Sequence, residues 1–455
     1  MKLPPGPQAP HIIQLIHWIA NPLDYLESFS QRYGDIFTAR WSGFAPFVIL
    51  SNPQAIQEVL TTDAKQFHSG EGNQLLRPLV GNYSMFLLDG ERHQRQRQLL
   101  TPPFHGERMK AYGKLICDIT TEVIGRERLG KAFRVRSAMQ EVSLRVILDA
   151  VFGMNEGERF NELKQILAAM LDAVSSPVSS SVLFLPSLQR DFGDWSPWGS
   201  FIRRQKRIDQ LVYTEIRQRR QDFDPNSADI LTLMMSARDA KGQAMSDEEL
   251  HDELLTLLLA GHETTASAIA WALYWIHHLP EVRDKLLKEL DNLGGELDPS
   301  TVMKLPYLTA VCQETLRIYP VAMLTSPRIV QSPYQLMGYE FEPGTVISPC
   351  IYLTHHREDL YPEPKRFKPE RFLERQFSPY EYFPFGGSDR RCIGMAFAQY
   401  EMKLVLATIL SRWELALADN RPVAPVRRGV TLAPPTSLKM VVTGQRTAAK
   451  IPVQV

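Results

Sequence analysis

The hydrophobic pattern of the chain is dominated by one long apolar stretch, residues 254–279, which is close to the length that a bilayer requires. A polar group at residues 262–265 interrupts the stretch at its middle, and such side chains are costly in lipid. Ahead of it, Ser246 and Glu249 have the spacing of a capping box, and a proline ends the pattern behind it. The pattern therefore predicts one buried helix over residues 246–278 in a large domain.

Elsewhere the chain alternates between amphipathic helical patterns and short β-rich runs. Helices are predicted over residues 22–33, 53–61, 90–104 and most of 107–240, and strands over residues 36–41, 47–50, 345–351 and 431–442. The β-rich runs gather mostly in two regions, 35–60 and 325–353. Two segments lack periodicity, residues 67–90 and residues 174–198, and we expect them to be connections between helices.

Length and charge narrow the class of protein and its partners. The 455 residues allow one large domain or two or three ordinary ones of about 150 residues each. The 51 basic and 51 acidic residues balance, so no overall field favours nucleic acid as a partner. Four scattered cysteines without a C-x-x-C spacing fit a reducing compartment. The N-terminal MKLPPGPQAP lacks the apolar core of a leader, so we expect a cytoplasmic protein without a transmembrane anchor.

The stretch that points most directly to chemistry is FGGSDRRCIG, residues 385–394, where Cys392 stands among glycines and arginines at the start of a helical pattern. Gly386 and Gly387 allow the backbone to approach a flat ligand. Free N–H groups at a helix start are expected to lower the pKa of the thiol and favour a metal-binding thiolate. With no second Cys or His nearby in the sequence, a lone thiolate suits a haem iron better than zinc. The alternative is a buried structural cysteine.

This decapeptide resembles the haem-binding loop of the cytochrome P450 superfamily, in which Phe, six residues, Cys, one residue and Gly follow each other. Phe385, Arg390, Cys392 and Gly394 stand at the family's positions, whereas Ser388 stands where the family usually has glycine. The resemblance implies that Cys392 is the axial iron ligand of haem b and that Phe385 and Arg390 contact the haem. It also implies a monooxygenase that uses O2 and electrons derived from NAD(P)H.

The polar centre of the long helix carries a second motif, AGHETTAS. Ala260 and Gly261 are small enough for a planar ligand to touch the backbone, and Thr264 can donate a hydrogen bond to the carbonyl of Ala260. The stretch resembles the family's A/G-G-x-D/E-T-T motif, in which the acid and the following alcohol govern proton delivery. The resemblance implies this role for Glu263 and Thr264. The alternative is a polar defect in a core helix.

Four further basic residues are expected near the carboxylates of the cofactor. His93 and Arg97 lie four apart and share a helical face, which by charge alone would be a solvated basic face. In the family, a Trp or His and an Arg at this spacing contact a haem propionate. The resemblance assigns His93 and Arg97 to that role, and it adds Arg328 and Arg390. Arg95, on the outer face of the same helix, is a candidate for docking an acidic electron donor.

A charge cluster is expected behind the haem-binding loop. Glu314 and Arg317 are three apart in QETLRIYP, and Arg371 belongs to the PERF of a proline-rich stretch. The resemblance implies that these three residues form the family's buried charge cluster. Buried charges of this kind require hydrogen bonds at every group, so we interpret the cluster as a structural clamp.

The resemblance covers essentially the whole chain and implies the cytochrome P450 fold. That fold is mostly α (α+β), here one domain over residues 1–455, with haem b between the long central helix and the Cys392 loop. We expect the protein to be a monomer. Because the chain has no room for a flavin reductase, we expect its electrons to come from a ferredoxin and its reductase. The rival classes are a peroxygenase, which would not need the Glu263 and Thr264 pair, and a non-enzymatic haem sensor.

The substrate is expected to be hydrophobic, because the positions that match the family's pocket segments are apolar. A long-chain fatty acid or alkane is the first expectation, and a terpenoid is the alternative. Arg77 is a candidate anchor for a carboxylate, although surface arginines are commonly only solvated. The predicted pocket residues are Met85, Phe86, Leu183, Phe184, Val321, Met323, Leu324 and Leu432.

Overall fold

The structure is a computed structural model that describes residues 3–104, 108–154, 156–175, 189–193, 195–294 and 297–446. The helices are α1 (His11–Ala20), α2 (Pro22–Tyr33), α3 (Pro53–Thr61), α4 (Arg77–Val80), α5 (Gly90–Leu100), α6 (Arg108–Gly125), α7 (Val135–Phe152), α8 (Glu158–Ser175), α9 (Pro197–Gln221), α10 (Ile230–Ser236), α11 (Asp247–His278), α12 (Pro280–Asp291), α13 (Pro299–Val302), α14 (Pro306–Ile318), α15 (Ile351–His355), α16 (Arg371–Glu374) and α17 (Met395–Arg412).

The strands are short and lie in small sheets. They are β1 (Ile36–Ala39), β2 (Phe47–Leu50), β3 (Phe67–His68), β4 (Ala132–Arg134), β5 (Arg328–Val330), β6 (Tyr334–Leu336), β7 (Tyr339–Phe341), β8 (Val346–Pro349), β9 (Trp413–Leu417), β10 (Val426–Arg428), β11 (Thr431–Ala433) and β12 (Lys439–Gln445). The five-stranded sheet has the order β1-β2-β8-β5-β3, so it joins the two β-rich regions that the sequence predicts. In it, β1 and β2 form the expected antiparallel hairpin, and β2 pairs with β8 in parallel.

The central helix α11 is the axis of the helical body. It spans 32 residues, and α7 and α17 pack along it through a shared apolar core. The capping box is confirmed, because the Glu249 N–H donates to Ser246 Oγ at 3.2 Å and the Ser246 N–H donates to the Glu249 carboxylate at 2.8 Å. Within the described residues, no helix has both the length and the apolar character needed to cross a bilayer.

The structure departs from the predicted elements in a few places. The predicted strand over residues 431–442 is two strands, β11 and β12, because Pro434 and Pro435 lie between them and cannot donate to a ladder. Helix α1 and strand β3 were not predicted, and residues 67–90 contain short helical turns. Most of the predicted connection at residues 174–198 lies outside the described residues.

Candidate functional site

A cavity of about 510 Å³ lies between α11 and the loop that precedes α17. Its walls are mostly apolar, and both sequence motifs contribute polar lining residues. Among the predicted cofactor-binding and catalytic residues, those that line the cavity are His93, Arg97, Ala260, Gly261, Glu263, Thr264, Phe385, Arg390 and Cys392. The structure therefore brings residues from three distant parts of the chain to one space.

Cys392 faces this cavity from the loop before α17. Its backbone N–H donates to the carbonyl of Phe385 at 2.9 Å, which closes the loop on itself. Gly386 adopts a φ of 69°, a left-handed conformation that glycine reaches without steric cost. Ser388 adopts a φ of 61°, where its Cβ makes the same conformation unfavourable. Burial raises the pKa of the Cys392 thiol, and this outweighs the opposite effects of the Gly394 N–H and Arg97. The lowering effect that the sequence predicted for the N–H groups is therefore present, but it is smaller than the effect of burial.

The cavity end beside α5 has unpartnered donors. His93 Nε2 and Arg97 Nη1 are buried and have no hydrogen-bond partner among the described residues. Burial lowers the pKa of His93 to about 4, with Arg390 as the next cause, so the ring is neutral at neutral pH. Donors in such positions require an acceptor, because a buried unpartnered polar atom costs about 1–3 kcal/mol. The arrangement fits a ligand that presents an anionic edge to α5.

The other two predicted propionate contacts are engaged by the protein. Arg390 donates to the Leu88 carbonyl at 2.7 Å and to the Asp89 carboxylate at 2.6 Å, and so ties α17's loop to the start of α5. Arg328 is buried, and its Nη1 donates to the Asp389 carboxylate at 3.4 Å. It is not among the cavity-lining residues, although its Nε lacks a partner in the described part of the chain. Their contact with a cofactor therefore stays a prediction.

The polar centre of α11 has the predicted local geometry. Thr264 Oγ1 donates to the Ala260 carbonyl at 2.6 Å. Glu263 is buried, and its carboxylate accepts hydrogen bonds from Arg136 at 2.6 Å and Gln140 at 2.5 Å, both on α7. Sequence patterns did not indicate these partners, because they lie more than a hundred residues away along the chain. These two hydrogen bonds leave acceptor capacity on the Glu263 oxygens, because a carboxylate has about four lone-pair sites.

Arg428 also lies near the Glu263 carboxylate, at 3.6 Å, and lines the cavity from the hairpin of β10 and β11. Gly261 packs so closely on α7 that an added Cβ would lie 3.2 Å from Ile147. A larger residue would therefore press on the Ile147 side chain of α7 as well as narrow the cavity. Arg95, in contrast, pairs with Asp239 and Glu249 at 2.6 Å each, so the idea that it docks an electron donor is not supported.

The three members of the predicted charge cluster do meet. The Glu314 carboxylate accepts from Arg317 Nε at 2.7 Å, from Arg317 Nη2 at 2.9 Å and from Arg371 Nε at 3.1 Å. The Lys368 N–H adds a fourth hydrogen bond at 2.8 Å. Arg317 also donates to the His355 carbonyl at 2.7 Å. The cluster thus fastens α14 to the proline-rich stretch that leads to Cys392.

The predicted pocket residues that the structure describes divide into two groups. Met85, Phe86, Val321 and Leu324 line the cavity. Met323 and Leu432 do not, because both are buried in the core beside the five-stranded sheet, and residues 428–431 of the hairpin line the cavity instead. Arg77 is exposed, donates to Asn82 and is not a lining residue, so its proposed anchoring role is not supported. Leu183 and Phe184 lie outside the described residues.

Sequence reasoning did not find how the loop before α5 is held over the cavity. The Tyr83 N–H donates to Asp252 and the Met85 N–H donates to Glu253, each at 2.8 Å. Between them, Thr256 Oγ1 donates to Ser84 Oγ at 2.7 Å. Consecutive loop residues are therefore bonded to side chains of α11, which positions Met85 in the cavity wall.

The residues at this site fit a haem. One thiol faces the cavity, Ala260 and Gly261 leave the backbone of α11 open, and unpartnered cationic and neutral donors lie at one edge. An iron porphyrin with two carboxylates needs these three features: an axial ligand, a flat space and donors for its acidic edge.

Comparisons with known proteins agree with this fit. A family model described as Cytochrome P450 matches residues 4–441. Cytochrome P450 135B1 of Mycobacterium tuberculosis is 35% identical over 435 residues, which are 95% of this chain and 90% of that protein. Cytochrome P450 138 of the same organism is 33% identical over 437 residues, which are 95% of each chain.

Solved structures give the same result. Retinoic acid bound cyanobacterial CYP120A1 has a TM-score of 0.83 and 25% identity, and the match covers 97% of this chain and all 100% of that one. The heme domain of cytochrome P450DA has a TM-score of 0.84 at 23% identity over 98% of both chains, which shows the fold. The chain therefore belongs to the cytochrome P450 family, the haem-thiolate monooxygenases.

Proposed function

We propose that this cytochrome P450 holds haem b through Cys392 and hydroxylates a hydrophobic substrate. The haem supplies oxygen activation when bound, and electrons come from NAD(P)H through a separate partner. The observation that supports this most is the convergence, on one cavity, of the Cys392 thiol, the unpartnered donors of His93 and Arg97, and the polar centre of α11. Apolar walls above that centre suit a substrate without many polar groups.

The substrate that we propose first is a long-chain fatty acid or alkane. Leu75, Leu76, Leu79 and Val80 extend the apolar wall beyond the predicted residues, which lengthens the space available to a chain. A terpenoid is the second candidate. It is favoured by the similarity to CYP120A1, whose structure contains retinoic acid, an isoprenoid acid.

Glu263 and Thr264 are proposed to deliver protons within the cavity. The Thr264 hydroxyl faces the cavity wall while bonded to the Ala260 carbonyl, and reorienting it would offer its proton to a ligand there. Glu263 would act while held by Arg136 and Gln140, because a carboxylate has about four lone-pair sites and these two hydrogen bonds use only two of them. The pair favours an NAD(P)H-driven oxygenase over a peroxygenase.

The electron donor that we propose is a ferredoxin with its reductase. Arg391, adjacent to Cys392, is exposed and gives an acidic donor a cation near the cofactor. Arg95 is not proposed as a docking residue, because its guanidinium is paired with Asp239 and Glu249. A cytoplasmic location and a monomeric state stay predictions.

The proposed function is tested by a spectral screen of the purified haem-containing protein against hydrophobic compounds. Fatty acids, alkanes and terpenoids that change the haem absorption spectrum are then incubated with NADPH, ferredoxin and ferredoxin reductase. We expect hydroxylated product in proportion to NADPH consumed. Product formed from hydrogen peroxide but not from NADPH would favour the peroxygenase, and binding without any turnover would favour the sensor.

A further inference from the structure

Helix α1 leaves an apolar face open to solvent. Its inner face is formed by Gln14 and Trp18, which are buried against the protein. The exposed large hydrophobic side chains of the same helix are four isoleucines, each between 43% and 58% exposed: Ile12, Ile13, Ile16 and Ile19. At about 100° per residue, the four lie within about 120° of each other around the helix axis, on the side opposite Trp18. An apolar stripe of this width normally faces a core, so α1 shows solvent a surface that proteins usually cover.

The turn between β1 and β2 adds to this apolar surface. The Ser42 N–H donates to the His11 carbonyl at 3.3 Å, which places the turn at the start of α1. Trp41 stacks on Trp18 with ring centroids 4.9 Å apart, so the turn and the helix are packed together. Phe44, in the same turn, is 41% exposed. We call the four isoleucines of α1 together with Phe44 the α1 face.

The α1 face lies in segments without charged residues. Residues 3–23 and 41–57 contain no Asp, Glu, Lys or Arg, although 22% of the whole chain is charged. The charges nearest to it are at its edges. Asp24 is paired with His17 at 2.8 Å, and Arg40 lies where its backbone N–H donates to Gln14 Oε1 at 3.0 Å. The centre of the surface is therefore uncharged.

The hairpin of β10 and β11 connects α1 to the cavity. Arg427 Nη1 donates to the Trp18 carbonyl at 2.9 Å, and the guanidinium lies 5.3 Å from the centre of the Trp18 ring. Burial lowers the pKa of Arg427 to about 10, so it remains a cation at neutral pH. Residues 428–431 of the same hairpin line the cavity. The α1 face is thus attached to a wall of the cavity, and Arg40 and Arg427 at its edges suit an anionic lipid surface.

The size and chemistry of the α1 face favour a lipid surface over a protein partner. A helix of ten residues is about 15 Å long and about 10 Å wide, so its outer face covers roughly 150 Å² in projection. Each partner of a stable protein complex buries about 800 Å², with about one hydrogen bond per 100–200 Å². Isoleucine side chains cannot form such bonds. A bilayer, in contrast, binds an apolar helix face in proportion to its area and needs no hydrogen bonds from it.

We propose that the α1 face docks this protein onto the surface of a phospholipid bilayer. The helix lies in the plane of the interface with its isoleucines in the acyl boundary, because ten residues are only half of the about 20 that a span requires. Docking holds the hairpin that lines the cavity near lipid, where hydrophobic compounds collect. The docking goes beyond the proposed function and does not depend on it, so its tests use no turnover.

The first test measures binding to vesicles by flotation. The haem-containing protein is mixed with vesicles of phosphatidylcholine and phosphatidylglycerol, and the fraction that floats with the lipid in a density gradient is measured. We expect the wild type to float. The double variant Ile12→Gln/Ile16→Gln should lower the ratio of bound to free protein about tenfold or more, because two apolar side chains no longer enter the lipid.

Two controls accompany the flotation. Leu129→Gln changes a 70% exposed apolar residue in the turn between α6 and β4, and it should float like the wild type. The haem spectrum and the thermal unfolding of Ile12→Gln/Ile16→Gln should match those of the wild type, because both positions are exposed.

The second test locates the contact. Ile16→Cys and Leu129→Cys are each labelled with a dye whose emission shifts to the blue in an apolar environment. The wild type, treated in the same way, gives the background from Cys117, which is half-buried. We expect vesicles to shift the emission of the dye at position 16 and to leave that of the dye at position 129 unchanged.

Three results would overturn the proposal. The wild type could remain in the aqueous fraction at every lipid concentration. It could float equally well as Ile12→Gln/Ile16→Gln, without a shift of the dye at position 16, which would place the contact elsewhere on the protein. It could be a dimer by light scattering that becomes a monomer in the double variant, which would assign the α1 face to a second copy of this chain. A protein that floats as predicted but forms no haem–thiolate complex would overturn the proposed function alone.

Discussion

Replacing Glu314 with alanine removes the centre of the buried charge cluster. The carboxylate accepts four hydrogen bonds, two from Arg317, one from Arg371 and one from the Lys368 N–H. The Glu314 and Arg317 side chains are 0% exposed and that of Arg371 is 6% exposed, so water cannot replace the lost partner. Glu314→Ala therefore leaves two guanidinium groups buried without a counter-charge.

The expected loss is about 3–5 kcal/mol of unfolding free energy, the range for removing one partner of a buried ion pair. Charge-assisted hydrogen bonds of about 1.5–3 kcal/mol each would add up to more. Both arginines, however, keep backbone partners. Arg317 retains the His355 carbonyl and Arg371 retains the Pro362 carbonyl, which limits the cost. Against a total stability of about 5–15 kcal/mol, the loss would remove between about a fifth and all of it.

The assay is urea unfolding of the haem-containing protein, with the haem content of the purified variant measured alongside. Glu374→Ala is a matched control, because it removes an exposed ion pair with Lys368 in the same stretch, where the side chains are 61% and 40% exposed. It should change stability by less than about 0.5–1 kcal/mol. A fully haem-loaded Glu314→Ala protein whose unfolding free energy differs from that of the wild type by less than about 0.5–1 kcal/mol would refute the interpretation of the cluster as a structural clamp.

Three other predictions follow from particular residues. Ser388→Gly should stabilise the protein by about 1–2 kcal/mol in thermal unfolding, because Ser388 holds a φ of 61° that glycine adopts without strain; an unchanged or lower melting temperature would contradict this. Thr264→Ala should continue to consume NADPH while product formation falls and hydrogen peroxide formation rises. An equal loss of product formation and NADPH consumption would argue against proton delivery by Thr264. Glu401 is fully buried on α17, and burial raises its pKa to about 8. Its contribution to stability is therefore present below about pH 4.3 and is lost as the pH rises to about 8. Glu401→Gln should therefore gain stability over the wild type through this interval, and parallel pH curves of unfolding free energy would disprove the shift.

The parts of the fold and site that the sequence predicted are those fixed by local spacing. Ser246 and Glu249 form the capping box, and Thr264 bonds to the carbonyl four residues back, because both contacts lie within one helix. Residues of the Cys392 loop that match the family also line the cavity. Such contacts depend on a few neighbouring residues, so the sequence carries enough information to place them.

Contacts between distant segments were predicted where the family resemblance supplied them, as for Glu314 and Arg371, and poorly elsewhere. The partners of Glu263 come from α7, and no spacing in the sequence relates them to α11. Met323 and Leu432 are apolar like a pocket wall, but apolar character alone does not distinguish a cavity from the core that surrounds it. The burial that raises the pKa of the Cys392 thiol was not predicted for a related reason, because it depends on the whole cavity.

Thiolate ligation by Cys392 is the central claim, and the absorption spectrum of the reduced CO complex tests it most directly. A thiolate ligand gives this complex its strongly red-shifted band, because the sulfur donates electron density to the iron. We predict the band in the wild-type protein and its loss in Cys392→Ser, with Cys350→Ser, which alters a fully buried core cysteine, as the control that retains it. A red-shifted band that survives in Cys392→Ser would contradict the assignment of the ligand.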